Sequence, residues 1–361
     1  MKRAGKAFFT ENLLIWNSEI NTRNMPWKGE KDPYRIWLSE IILQQTRVEQ
    51  GWPYYERFIK AYPTVNHLAR ASDDEVFRHW QGLGYYNRCR NMLAAARTIS
   101  KDYQGQFPHT YESILALKGV GAYTAAAIAS FAYGLPHAVV DGNVYRVLAR
   151  YFGIQTPTDT TEGKKEFTLL AGELLDKTQS AAYNQAIMDF GAVVCKPQQP
   201  ACSSCPLSTQ CLAYQTGRVE QLPLKTKKIM IRQRFFYYII LIYNKQVYIR
   251  KRKEKDIWQN LHEFILLEQP CPVTQAELLA SEGYRAALPG VSFKVEGLSA
   301  PYKQQLTHQT IIAQFLTLRG KGRAPALEGY QLVPQSMLND YAFPKTITSY
   351  LEKSALGLTL F

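Results

Sequence analysis

Apolar side chains recur every three to four residues from Thr10 to about Tyr214, with punctuation at Pro33, Pro53, Pro63, Pro108, Gly134 and Pro157. That spacing predicts an almost wholly helical half in which Pro and Gly mark the connections. After Gly217 the pattern changes. Leu224–Arg234 carries Lys225, Lys227, Lys228, Arg232 and Arg234 without an acid, and strand-like runs follow at Phe235–Tyr243, Gln246–Arg250 and Glu263–Leu267. A helix over Pro272–Ala287, strands over Val291–Gly297 and Ile311–Leu318, and a closing helix over Thr346–Leu356 complete an α+β pattern. A linker over Gly217–Gln233 separates the two halves, and no repeat of fixed period is found.

The longest apolar block, Phe235–Tyr243, is nine residues, against the ~20 that a membrane-spanning helix needs, so it reads as a buried strand. Glu11, Asn12, Asn17 and Glu19 interrupt the stretch after the basic start Met1–Lys6, so no secretory signal is expected and a reducing, cytoplasmic compartment is the expectation. In a reducing compartment the six cysteines are expected as metal ligands or core thiols rather than disulfides. Composition adds that 361 residues at 46% hydrophobic and 20% charged exclude extended disorder, collagen-like repeats and a disulfide-dense mini-scaffold. The net charge of +13 suggests a polyanionic partner such as nucleic acid, although ribosomal and membrane-surface proteins share that balance.

Four cysteines cluster as Cys195, Cys202, Cys205 and Cys211, separated by six, two and five residues. Four thiolates so close in sequence suit a tetrahedral metal or a cubane cluster; with only one Cys-x-x-Cys pair, the spacing favours a [4Fe–4S] cluster over structural zinc. Cys89 and Cys271 have no neighbouring cysteine and are expected in the core.

Leu117-Lys118-Gly119-Val120-Gly121-Ala122 lies between helical stretches at Tyr111–Ala116 and Tyr123–Tyr133. Two glycines around an apolar anchor allow a tight turn that points N–H groups outward at a helix start, which suits a phosphate. The same pair also fits a plain helix–turn–helix connection.

Two carboxylates stand out. Helical spacing puts Glu40 beside Ile36, Trp37, Leu43 and Gln44. A carboxyl poorly solvated there would hold a proton at neutral pH and serve as a general acid, whereas at a helix edge it would face water; periodicity leaves both open. Asp141 precedes Gly142-Asn143-Val144, where Val144, Val147, Leu148 and Tyr151 begin a helix. Its default role is an N-cap. Held ionised by backbone N–H groups, it also offers fixed negative charge to a cationic transition state, with Asn143 beside it as a positioning donor.

The hairpin, the aspartate some twenty residues later and the Cys-x6-Cys-x2-Cys-x5-Cys cluster together resemble the endonuclease III superfamily of helix-hairpin-helix DNA glycosylases. Within it the chain resembles the MutY-type adenine DNA glycosylases. The likeness is carried by Met25-Pro26-Trp27, Trp37-Leu38-Ser39-Glu40, Leu43-Gln44-Gln45-Thr46, Gly82-Leu83-Gly84-Tyr85-Tyr86, Asp141-Gly142-Asn143-Val144 and Asn184-Gln185-Ala186-Ile187-Met188-Asp189, and is dense from about residue 10 to 215. It implies a multidomain protein with an all-α helix-hairpin-helix glycosylase core at 1–217. That core would hold a six-helix barrel at about 26–134 and a cluster domain from 1–25 and 135–217. A linker at 218–233 and an α+β Nudix-like domain at 234–361 would follow.

Bifunctional relatives carry a lysine after the hairpin, where an amine starts strand cleavage through a Schiff base. Tyr123 stands there, implying a monofunctional enzyme. By resemblance, Glu40 would protonate adenine, Asp141 would stabilise the oxocarbenium-like sugar, and Tyr123 and Asn143 would orient them. Lys118, Gly119, Val120 and Gly121 would hold phosphate, Leu83 would contact the substrate, Gln45 and Tyr85 would sit at the vacated or opposing stack, and Trp27 and Gln185 would enclose the extruded base. The implied partner is duplex DNA with adenine opposite 8-oxoguanine or guanine, bound by a monomer without a membrane.

Val247–Arg252 followed by Ile257–Phe264 resembles the start of a Nudix fold, but no Arg-Glu-x-x-Glu-Glu run follows and Thr274–Leu279 holds one carboxylate. That is too few for a divalent metal on pyrophosphate. The domain is therefore expected to serve recognition, and the resemblance implies that it inspects the lesion through Leu306-Thr307-His308, where the family reads Phe-Ser-His. Two alternatives are a bifunctional endonuclease III-type pyrimidine glycosylase/lyase, against which Tyr123 argues, and a silent DNA-binding protein, against which Glu40 and Asp141 argue.

Overall fold

In a computed structural model, residues 3–226, 231–288 and 293–354 are described. The chain forms two compact units. The first comprises residues 1–70 and 90–227 and the second residues 71–89 and 228–361. The short stretch 71–89, which hydropathy groups with the helical half, thus belongs with the C-terminal residues.

The first unit is helical: α1 (Arg3–Glu19), α2 (Pro33–Leu43), α3 (Val48–Ala61) and α4 (Val65–Arg70) precede the gap, with α5 (Asp73–Trp80) falling in the second unit. Then come α6 (Tyr86–Asp102), whose first turn falls in the second unit, α7 (Tyr111–Leu115), α8 (Ala122–Tyr133), α9 (Gly142–Phe152), α10 (Thr161–Leu174), α11 (Ser180–Val193) and α12 (Leu212–Gln215). Helix α2 starts where Asp32 accepts from the Tyr34 N–H and Pro33 occupies the first turn, a place where its missing donor costs nothing. Pro53, expected at a connection, instead lies inside α3. The anticipated stripe on α9 buries Val144, Val147, Leu148 and Tyr151 against Phe9, Leu13 and Trp16 of α1 and Tyr183 and Phe190 of α11.

The second unit is built on a mixed sheet. Strand β1 (Arg232–Tyr243) runs parallel to β7 (Gln309–Gly320) and antiparallel to β2 (Gln246–Lys251) and β4 (Ile265–Gln269). Strands β5 (Phe293–Leu298) and β6 (Tyr302–Gln305) pair with β7; β3 (His262–Glu263) and β8 (Gln331–Pro334) pair with β2. Every residue of β1 from Phe235 to Tyr243 is buried, which is why that strand is apolar without alternation.

The strand expected over Glu263–Leu267 breaks at Phe264 into β3 and β4, and the helix expected over Pro272–Ala287 divides into α13 (Gln275–Ala280) and α14 (Glu282–Ala287). Ser281 causes the second break by accepting from the Tyr284 N–H as an N-cap. Helix α15 (Lys345–Lys353) closes the unit. Parts of three predicted segments, residues 227–230, 291–292 and 355–356, lie outside the described residues. Cys89 is buried, but Cys271 is exposed, correcting its expected place in the core: it follows the last strand residues of β4, in the turn before α13. No helix among the described residues is long and apolar enough to cross a membrane.

Candidate active site

Helix α2 presents Glu40 into a recess where water reaches part of the side chain but protein surrounds the carboxyl. Of its same-face neighbours, Ile36 and Trp37 are buried and Leu43 and Gln44 half-buried, which places the carboxyl inward rather than at a helix edge. Burial pushes the Glu40 pKa up to about 7; the Tyr123 hydroxyl donates to the carboxyl and partly opposes this, while the charge of Asp141 adds to it. Tyr123, in the first turn of α8, is itself held well above the usual phenol range by burial and by both carboxylates. It is a neutral donor at any ordinary pH.

Asp141 is the N-cap of α9, accepting from Val144 N at 2.8 Å through one oxygen and from Asn143 Nδ2 at 2.8 Å through the other. Burial nevertheless moves its pKa upward, against the Val144 and Asn143 donors and the charge of Arg146; the simple expectation of a carboxylate held ionised by its cap omitted that desolvation.

Arg146 was not anticipated. It donates from Nη2 to Asn143 Oδ1 at 2.8 Å and to Gly191 O at 2.6 Å, and from Nε to Cys195 O at 2.7 Å. An unbroken series of contacts therefore joins Cys195, Arg146, Asn143 and Asp141. The helices approach closely enough that a Cβ on Gly191 would lie 2.6 Å from the Asn143 Cβ.

Cys195, Cys202, Cys205 and Cys211 line one cavity with Arg150, Val194, Pro200 and Tyr214. A single tetrahedral ion about 2.3 Å from each sulfur requires the ligands to converge on a point. No three His, Cys, Asp or Glu side chains among the described residues do so. Arg150, 4% exposed, lies with Nη1 3.5 Å from Cys195 Sγ and ties the loop by donating to the carbonyls of Lys196, Pro197 and Leu222. A guanidinium in that place suits anionic sulfur.

In the hairpin, Leu117 and Val120 are buried while Lys118, Gly119 and Gly121 are exposed. Gly119 has φ +79°, and a Cβ there would come 2.5 Å from Asn91 Cβ. Gly119→Ala is expected to cost about 1 kcal/mol or more from the backbone conformation alone. It should also weaken binding to all duplexes alike, read by thermal melting and a DNA titration.

Trp27 is half-buried beside Trp52, with ring centroids 5.8 Å apart. Gln45 and Tyr85 are exposed and left-handed, at φ +55° and +49°, an uncommon conformation for such residues that concentrates at functional sites. Within the second unit, Arg88 stacks on Tyr85, and the Tyr85 hydroxyl lies 3.0 Å from Thr307 Oγ1. Thr307 and His308 are exposed in the turn joining β6 to β7. Leu83 is 5% exposed. The Gln185 amide engages Asp189, its Nε2 2.9 Å from Oδ1.

Residues 38–171 match the model of the HhH-GPD superfamily of base excision DNA repair proteins, and residues 237–353 match that of the NUDIX domain. An adenine DNA glycosylase of Buchnera aphidicola (subsp. Schizaphis graminum) is 35% identical over 256 residues, covering 71% of this chain and 74% of the relative. The chain belongs to the adenine DNA glycosylase family. The Homo sapiens member is 40% identical over 223 residues, 59% of this chain and 41% of its own. Among solved structures, a thermostable thymine-DNA glycosylase aligns at TM-score 0.55 and 30% identity, covering 59% of this chain and 98% of that one. This DNA glycosylase thus combines a helix-hairpin-helix core with a Nudix-like domain.

Proposed function

We propose that the protein hydrolyses the N-glycosidic bond of adenine mispaired with 8-oxoguanine, and also of adenine opposite guanine, leaving an abasic site. The observation that carries this reading is Glu40, a carboxyl with a pKa pushed to about 7, grouped with Tyr123 and with the carboxylate of Asp141. Adenine cannot be reached inside a duplex, so it is extruded into the recess at a cost of about a few kcal/mol. Glu40 gives its proton to the base, most favourably at N7, and the electron pair of the C–N bond leaves with it. Asp141 then faces the positive charge developing on the sugar, until water adds to C1′ and gives up a proton to the carboxylate left on Glu40, which completes the abasic sugar and restores the acid. Asn143 and Tyr123 hold the two carboxyl groups in place.

Tyr123 supplies a phenol where a lyase would need an amine, so no Schiff base forms. The helix-hairpin-helix turn at Lys118–Gly121 grips backbone phosphate, and Thr307 and His308 read the opposing base. Four cysteines around one cavity suit a [4Fe–4S] cluster better than a single ion. When bound it would pin the Cys195–Cys211 loop, and Arg146 would carry that anchoring to Asn143. The protein acts as a monomer on duplex DNA.

Single-turnover release of adenine from duplexes with 8-oxoguanine, guanine or thymine opposite, followed by alkali, tests the reading. Release should be fast, slower and absent in that order. Equal release opposite all three bases would remove lesion recognition from Thr307 and His308, and tight duplex binding without release would leave a silent binder.

A further inference from the structure

Arg234, the last cation of the basic run before the sheet, is committed to its own domain rather than offered to a polyanion. Its side chain is 12% exposed and forms two forked ion pairs. Nε and Nη2 donate to the two Glu268 oxygens, each at 2.7 Å, and Nη1 and Nη2 donate to the two Asp256 oxygens at 2.9 and 2.8 Å. Nη1 also donates to Gln309 Oε1 at 3.3 Å, and the guanidinium carbon lies over Phe236, 4.8 Å from the ring centroid. Phe236 is two residues along β1, on the same face, and pairs with Glu268 across the sheet. A guanidinium presents its donors in a fixed planar fork. Held by β4, by the β2–β3 loop, by the start of β7 and by its own strand, this one has a single placement.

What this side chain fixes is the base of one turn. Gln309 opens β7 and directly follows Thr307 and His308. The backbone there is already closed: the Leu306 N–H donates to Gln309 O at 2.8 Å and the Arg232 N–H to His308 O at 3.0 Å, while Thr310 Oγ1 donates to Gln305 Oε1 at 2.6 Å. The Arg234 fork adds the Gln309 side chain to that frame, leaving Thr307 and His308 as the exposed pair at the apex. We propose that Arg234 is a positioning residue for lesion discrimination. Through Gln309 it holds the Thr307–His308 turn against the β2–β3 loop at Asp256, in the placement from which the opposing base is read. This rests on the reading above, in which Thr307 and His308 read that base. 8-Oxoguanine differs from guanine only by an oxygen at C8 and a hydrogen at N7, and so small a difference is told apart by groups held to within about 0.5 Å by locked supporting side chains.

The test compares single-turnover release of adenine opposite 8-oxoguanine and opposite guanine, with each variant assayed as the full chain. Gln309→Met keeps the length of the side chain, removes the acceptor and leaves both ion pairs of Arg234 intact. Gln309→Glu keeps an acceptor and makes the bond to Arg234 charge-assisted, and Arg234→Met removes the fork itself. In Gln309→Met and Arg234→Met the ratio of the rate opposite 8-oxoguanine to that opposite guanine should fall about tenfold, with release opposite guanine falling less than the ratio does. Gln309→Glu should keep the wild-type ratio. Equal slowing on both duplexes would mark a purely structural role and overturn the inference, and so would an unchanged ratio in Gln309→Met. A loss in Gln309→Glu as large as that in Gln309→Met also overturns it, since the effect would then belong to the glutamine rather than to its tie with Arg234. A wild type with no preference between the two duplexes overturns instead the reading of Thr307 and His308. Should Arg234→Met fail to fold with Asp256 and Glu268 left unpaired, the two Gln309 variants decide.

Discussion

Glu40→Gln is expected to slow single-turnover release of adenine by about 10²–10⁴-fold, the range general-acid catalysis contributes. Duplex affinity should change little, since glutamine keeps the shape and an oxygen for the Tyr123 hydroxyl. The pH profile gives the sharper check. With a Glu40 pKa of about 7, the proton-bearing form is lost as pH rises through 7, so wild-type release should fall about tenfold per unit above that point, while the residual rate of the variant stays flat. The stability of the wild type should fall over the same pH range. The folded-state pKa lies above the ordinary value of 4.5, so the folded form holds the proton more tightly than the unfolded one. The stability linked to that proton is fully present below about pH 4.5 and is lost as pH rises through 7. Glu40→Gln removes the cost of an ionised buried carboxylate, and should raise the melting temperature at pH 8 but not at pH 4. At ~1.4 kcal/mol per pH unit the gain is on the order of 3 kcal/mol. Unaltered base release would place the acid elsewhere.

Much of this site is legible in the chain because its signals are local. The hairpin glycines, the cap at Asp141 and the stripe of α9 depend on residues a few positions apart, and short-range geometry specifies them. The cysteine cluster is compact for the same reason. Glu40 was visible as a carboxyl on an apolar helix, but periodicity does not say which elements cover that face, and Tyr123 and Asp141 come from 83 and 101 residues away. Arg146 and Asp189 carried no local signal: the Arg146 contact to Cys195 spans 49 residues and the Asp189 contact to Asn21 spans 168. Only the packing of α11 against α9 and the segment before α2 creates those partners. Isolated Cys271 was misplaced because hydrophobic preference is all a lone cysteine offers, and a turn overrides it. The break at Phe264 is likewise tertiary, since β3 pairs with β2 and β4 pairs with β1.

Asp141→Asn should separate the structural and chemical duties of one side chain. Asparagine ranks with aspartate as an N-cap, and its oxygen can still accept the Val144 N–H, so α9 should keep its start and the melting temperature should fall by no more than about 1 kcal/mol would produce. The negative charge is gone, however, and release of adenine should drop about 10²–10³-fold, the loss found on removing one preorganised electrostatic partner. A second effect acts in the same direction. The new amide nitrogen would face Asn143 Nδ2, donor against donor, and Asn143 cannot turn over without surrendering its Oδ1 to Arg146. Arg146→Met tells the two apart, because it leaves Asp141 charged while cutting the contacts to Asn143 and Cys195. If charge dominates, that variant should lose only about tenfold in release. Equal losses in both variants would mean that Asp141 acts chiefly through the geometry Arg146 imposes; an active Asp141→Asn would show that the sugar cation is stabilised by another group.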